Sequence, residues 1–255
     1  DVCFPIFSET TSMTVTSSDR FAWWDNLRHS GLLLDKQRLH ELVEEDPIAL
    51  PVYEQERFRR RFTTFQDSSG AQLGEFVSST LQHVCSVGRL GDDLRPLGGW
   101  QRGNDVDSHW QRHLAAGFDF KPQHVWTSPR GAVMPVFITE TPRLGIGVKG
   151  RKPITDTLEW MRLSGAGLAL VTNGWQWRIV FAGLDYDASV EWDCQQFFRE
   201  GQETSELLGL RALLDSRRWI PARAGEACPF LSAVQASRKG QADLSQMLGE
   251  RVRLA

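Results

Sequence analysis

Lys149 is the residue around which chemistry could be built. Phosphodiester hydrolysis at neutral pH needs an activated water and a way to stabilise charge on the phosphorane. A divalent ion held by carboxylates supplies both, and a lysine beside it steers the water. A strand opening with Pro and an acid, followed by a strand carrying acid, spacer and Lys, would set that group on one sheet edge. Here Pro135 opens a strand-like run, but Val136 stands where the acid would be. Gly147-Val148-Lys149 takes the place of the second triplet, so the lysine is kept and both acids are replaced. Glu140, in the turn between these runs, and Asp156, on the next helix, could be recruited instead, which makes Lys149, Glu140 and Asp156 the candidate catalytic set. Asp105 and Asp107 precede it. Without the acids, Lys149-Gly150-Arg151-Lys152 reads as a basic strip able to hold phosphate without cutting it. Arg57 and Arg60, within a run of four arginines beside a Phe58/Phe62/Phe65 stripe, are further candidate phosphate contacts. A solvated charged face would look the same, because Glu54 and Glu56 lie close by.

The elements that must position these residues follow from periodicity and punctuation. Residues 19–29 and 35–45 read as helices separated by Ser30-Gly31, with Asp19 and Asp35 as caps. The segments 52–65 and 70–87 are helical, and 88–104 is Gly-rich and charged. A short helix follows over 105–114, which would put His109 and His113 on one face. Three β-leaning runs come next: QHVWTS, AVMPVFI and RLGIGVK. After a helix over about 154–164, Leu168–Thr172 is a strand and Asn173-Gly174 signals a two-residue type I′ hairpin, which needs positive φ at both positions. Trp175–Phe181 is the return strand, with Trp175 and Trp177 on one face against the 154–164 helix. Residues 193–200 and 203–214 read as helices, and so does the end of the chain.

The stretch Met134–Tyr186, with its Thr172-Asn173-Gly174-x-x-Trp177-Arg178 pattern, resembles the PD-(D/E)xK nucleases, and most closely the N-terminal region of large type IIG-like restriction-modification and phage-defence adenine-specific DNA methyltransferases. Asp156 and Trp160 occupy the Gln-x-x-x-Tyr spacing of restriction-type members with altered chemistry. The resemblance implies an α/β fold with the mixed central sheet of a restriction endonuclease. A helical subdomain over 19–100 would precede a nuclease-like domain over 101–220. Residues 221–255 would form a helical connector toward a methyltransferase that uses S-adenosylmethionine, beyond this chain. Residues 1–18 are expected to be poorly ordered, and the chain to be the N-terminal part of a longer polypeptide. The implied partner is double-stranded DNA, contacted by Arg57, Arg60, Lys149, Arg151 and Lys152. The implied role is a nuclease-like module that engages DNA without cleaving it. The alternatives are a live Mg²⁺ endonuclease with relocated acids, and a docking module for other subunits of a defence complex.

Other chemistry is excluded or weak. The Gly145–Gly150 run matches G-x-G-x-x-G in form, but Pro153 and its basic neighbours fit a dinucleotide site poorly. A His109/His113 pair needs a third ligand to hold a metal, so no metal site is assigned. The net charge of −3 gives no global positive field. The 41% hydrophobic and 24% charged content are ordinary globular values. Four dispersed cysteines and no CxxC fit a reduced, cytoplasmic setting. No apolar run approaches the roughly 18 residues that span a bilayer.

Overall fold

A computed structural model describes residues 20–90 and 95–254. Its centre is a seven-stranded mixed sheet built from β1 (Arg28–Ser30), β2 (Gly99–Arg102), β3 (His124–Thr127), β4 (Val133–Ile138), β5 (Leu168–Thr172), β6 (Gln176–Ala182) and β7 (Asp187–Asp193). The spatial order is β1-β7-β6-β5-β4-β3-β2. Every pairing is antiparallel except β4 with β5, which are parallel and joined through one long helix, α5 (Gly147–Ser164). Parallel neighbours require such a crossover. The chain is thus mixed α/β, with seven strands in its main sheet.

Strand alternation sorts the core into two faces. Val136, Leu168, Leu170, Trp177, Ile179 and Phe181 point into a large cluster that takes in α1 (Ala22–Asn26), α2 (Lys36–Leu42), α3 (Val52–Asp67), α4 (Leu73–Ser79), α6 (Ser205–Leu214), α7 (Ser216–Trp219) and the start of α8 (Pro229–Leu254). Phe137, Ala169, Val171 and Val180 point the other way, onto α5 (Gly147–Ser164) through Trp160 and Met161. Residues on both sides of position 100 therefore share one sheet and one cluster.

Several local expectations hold. Asp35 caps α2 by accepting from Arg38 N at 2.8 Å. Phe58, Phe62 and Phe65 form an aromatic stripe with Phe76, whose ring stacks on Phe58 and Phe65. Burying each such ring is worth about 1.5–3 kcal/mol. The Asp19 cap falls outside the described residues.

Others are corrected. The RLGIGVK run is not a strand: Gly145 and Gly147 take φ of +71° and +66°, which turns the chain out of extended backbone, and α5 starts at Gly147. Pro153 lies inside α5 rather than ahead of it. Residues 108–110 form only a 3-10 turn, and Arg112-His113 pair with Asp119-Phe120 as a small hairpin. The stretch after Asp193 is a 3-10 turn and a second small hairpin, not a helix. Trp177 packs away from α5, edge-on to Phe76, while Trp175 meets Phe62 and Phe65.

The β5–β6 hairpin forms, but not through a type I′ turn. Only Gly174 has positive φ, at +84°, and Asn173 does not. Instead the Asn173 Oδ1 accepts from the backbone N–H of Trp175 and Gln176 at 3.1 and 2.7 Å. This is an Asx turn, in which the side chain replaces a backbone acceptor. The Asn173 amide then donates to the carbonyls of Thr141 and Pro142 at 2.8 and 3.3 Å. One buried asparagine therefore ties the hairpin to the loop that leads into α5.

Candidate functional site at the mouth of the parallel strand pair

The strand register expected for Lys149 is overturned. Pro135 sits on β4, opposite Val125 of β3, whereas Lys149 lies in the first turn of α5 on no strand at all. The two glycines that break the extended run are the reason.

The structure nevertheless collects Lys149, Lys152 and Asp156 in one groove of about 360 Å³. It opens beside the ends of β4 and β5, where the parallel pair is bridged by α5. Ligands of open α/β sheets commonly sit at the carboxyl ends of such strands. On α5 the spacing 149, 152/153 and 156/157 makes one helical stripe, and the same stripe continues inward to Trp160, which is fully buried. The opposite wall is Ile138, Thr139 and Thr141 from the end of β4, with Gln123, Phe120, Phe137 and Val171 forming the floor. Phe120 stacks on Phe137 at 5.1 Å and 11°.

Each wall is fixed by identifiable contacts. Trp160 donates its indole N–H to the Trp110 carbonyl at 2.7 Å and meets Phe137 edge-on, which anchors α5. Gln123 Oε1 accepts from Ile138 N at 2.7 Å, which pins the amide across the β3–β4 pair. Outside the groove, Arg178 on β6 donates to Glu191 on β7 through Nε at 2.8 Å and Nη2 at 2.5 Å. Both side chains are nearly buried, and Gln176 donates to the other Glu191 oxygen at 2.7 Å. The Gln176 Oε1 accepts from Leu144 N, so this buried network also holds the loop before α5.

The electrostatics of the groove are lopsided. Lys152 pairs with Asp156 at 2.6 Å and its ammonium lies 4.3 Å from the Phe118 ring centre. With Lys152 largely exposed, that i, i+4 pair contributes only a few tenths of a kcal/mol. Lys149 and Arg151 are exposed and have no ion-pair partner among the described residues. The first turn of α5 has no acidic residue and no side-chain cap. Cations there oppose the helix dipole, an arrangement that costs stability unless an anion sits nearby. Pro153 lacks an N–H, which frees the Lys149 carbonyl from the helical ladder. At the centre of the stripe, the Thr157 hydroxyl is buried and has no hydrogen-bond partner.

The remaining sequence candidates lie elsewhere. Glu140 is exposed and does not line the groove, although Thr139 and Thr141 on either side of it do. Arg57 pairs with Glu54 at 3.5 Å on α3, and Arg60 is exposed on the same helix. That helix packs over the opposite face of the sheet from α5. His109 and His113 turn to separate carboxylates, Asp107 and Asp119, and no group of three or more His, Cys, Asp or Glu gathers among the described residues. Two glycines of the G-x-G-x-x-G run, Gly145 and Gly150, serve packing, whereas Gly147 has open space around it and only a positive φ. A Cβ on Gly145 would lie 2.6 Å from Arg178 Nη2, and one on Gly150 would lie 2.1 Å from the Arg143 carbonyl.

No family model, no curated protein and no solved structure matches this chain.

Gln123 and Thr157 are the site residues that sequence reasoning missed. Pro122-Gln123 opening the QHVWTS run was the available signal for the first, because it places a polar side chain after Pro at the head of a strand. Nothing in the sequence marks Thr157. A larger cleft of about 810 Å³ lies on the other side of the β5–β6 hairpin. It is lined by three arginines, Arg28, Arg143 and Arg199, and by three carboxylates, Glu191, Asp193 and Glu206.

Proposed function

We propose that this chain is a nuclease-like module that engages double-stranded DNA without cleaving it, the N-terminal part of a restriction-modification or phage-defence DNA methyltransferase. The observation that carries the reading is the cationic, uncapped start of α5 beside a groove floored by an amide. The antiparallel pair able to bear a Pro-acid and acid-x-Lys motif is β3–β4, not the pair expected from the sequence. Gln123, just before β3, follows Pro122 where such a motif would carry its first acid, and Glu140, just beyond the end of β4, lies outside the groove. Lys149 and Lys152 then supply from the helix the cations that the motif would place on the strand.

The groove does not fit a carboxylate-held divalent ion. Its one carboxylate, Asp156, is ion-paired, and two lysines repel a second cation. The same two lysines suit a phosphate diester, which carries one negative charge and accepts from ammonium groups.

The test is duplex binding across a salt series, with plasmid cleavage in Mg²⁺ run alongside. The expected result is binding whose log–log salt slope drops by about 1 for each of Lys149→Ala and Lys152→Ala, and no cleavage. Binding unchanged in the double variant would refute the assignment. Cleavage abolished by Asp156→Asn would establish the live-nuclease alternative. A third reading, a docking module, is favoured only by α8, whose outer half exposes Leu244, Met247 and Leu248 on one face. Duplex binding indistinguishable from background would leave that reading standing.

A further inference from the structure

We infer that the groove between α5 and the end of β4 takes a whole nucleotide, with the base inside and the phosphate at the lysine rim. This rests on the phosphate reading above but goes further, because a phosphate by itself needs only the rim. Beneath the two lysines much of the lining is apolar and aromatic: Phe120, Phe137, Ile138 and Val171. A phosphate diester gains nothing from such walls, whereas a base is flat and apolar on both faces and polar at its edge. The volume of about 360 Å³ falls within the usual range for small-molecule sites.

Two polar groups are available for that edge. Thr157 is fully buried, lines the groove and leaves its hydroxyl without a partner. An unpaired buried hydroxyl costs free energy, and a bound base can repay it. Gln123 also lines the groove; its Oε1 is taken by Ile138 N, and the amide nitrogen reaches only the Lys121 carbonyl at 3.5 Å, a weak bond. That nitrogen is thus available to donate. Lys149, exposed and unpaired among the described residues, stands at the rim for the phosphate. The unit recognised is therefore a nucleoside monophosphate, either free or extruded from a duplex. Extrusion costs a few kcal/mol of unstacking, least at a mismatch.

The experiment is calorimetric titration of the full chain with adenosine 5′-monophosphate, adenosine and inorganic phosphate at fixed ionic strength. The monophosphate should bind at least about tenfold more tightly than either part. Lys149→Ala should weaken the monophosphate but not adenosine. Thr157→Val keeps the shape and removes only the hydroxyl. It should leave the melting temperature unchanged or higher, yet lower monophosphate affinity several-fold. Competition by a mismatched duplex, and not by a paired one, would identify the source as an extruded nucleotide; no competition by either would identify a free one. The inference is overturned if the monophosphate binds no better than phosphate, or if Thr157→Val binds it unchanged. In either case, salt-dependent duplex binding through Lys149 and Lys152 would leave the broader reading intact.

Discussion

Replacing Glu191 with Gln tests whether the buried Arg178–Glu191 pair holds the loop that leads into the groove. Glu191→Gln changes no volume to speak of, but it leaves the Arg178 guanidinium in a nearly buried position without its counter-charge. No other ion pair to Arg178 is present among the described residues. Breaking a buried pair by removing one partner costs about 3–5 kcal/mol, chiefly because the remaining charge is stranded. The variant also weakens the Gln176 contact, and through it the Leu144 tether. For a chain of this size each kcal/mol moves the melting temperature by roughly 2–4 °C, so a fall of about 6–20 °C is expected. Replacing both partners at once, Arg178→Met with Glu191→Leu, removes the stranded charge and should recover most of the loss. Urea and thermal unfolding of Arg178→Met, Glu191→Leu and the double variant give the coupling directly. A Glu191→Gln variant within about 0.5 kcal/mol of the parent would refute the argument. So would a double variant no more stable than the singles.

Further outcomes can be measured on the same protein. Gly174→Ala should cost about 2–4 kcal/mol in urea unfolding, because φ is +84° and the new Cβ would lie 2.5 Å from the Phe65 ring. Gly131→Ala, with the same φ and open space around it, should cost only about 1–2 kcal/mol. Burial pushes the His124 ring below its ordinary 6.5, despite hydrogen bonds to backbone that raise it; His83 shifts the same way, again mainly by burial. The unfolded chain then binds protons that the folded chain refuses. Stability is therefore full above pH 6.5 and declines as pH falls below it, and His124→Gln should flatten that slope in pH-dependent melting curves. Burial also pushes the Cys85 thiol up to about 12 and Cys194 well above its usual value. An alkylating reagent at pH 8 should leave both unmodified in the native chain and label both in denaturant, as mass spectrometry of the peptides would show.

Local patterns carried much of the fold because the physics that sets them is local. The Phe stripe of α3, the Asp35 cap and the β5–β6 hairpin each depend on residues within a few positions of one another. The hairpin shows where that reasoning stops. Asn173-Gly174 marked the turn, yet the turn type was decided by Thr141 and Pro142, distant in sequence, whose carbonyls claim the asparagine amide.

The groove followed the same division. The comparison with a nuclease motif singled out Lys149 and Asp156, and the basic strip that follows Lys149 added Lys152. What they belong to was decided in three dimensions. Two glycines at positive φ ended a run that reads as strand, and made it the first turn of a helix. That moved Lys149 from a sheet position to a groove rim and separated it from Glu140. Gln123 and Thr157 entered the site only through the β3–β4 register and the burial of one face of α5. Side-chain type and helical period are written in the chain itself. Which strands pair, and which polar atom is left without a partner, depend on contacts between segments far apart in sequence, and only the folded structure fixes those.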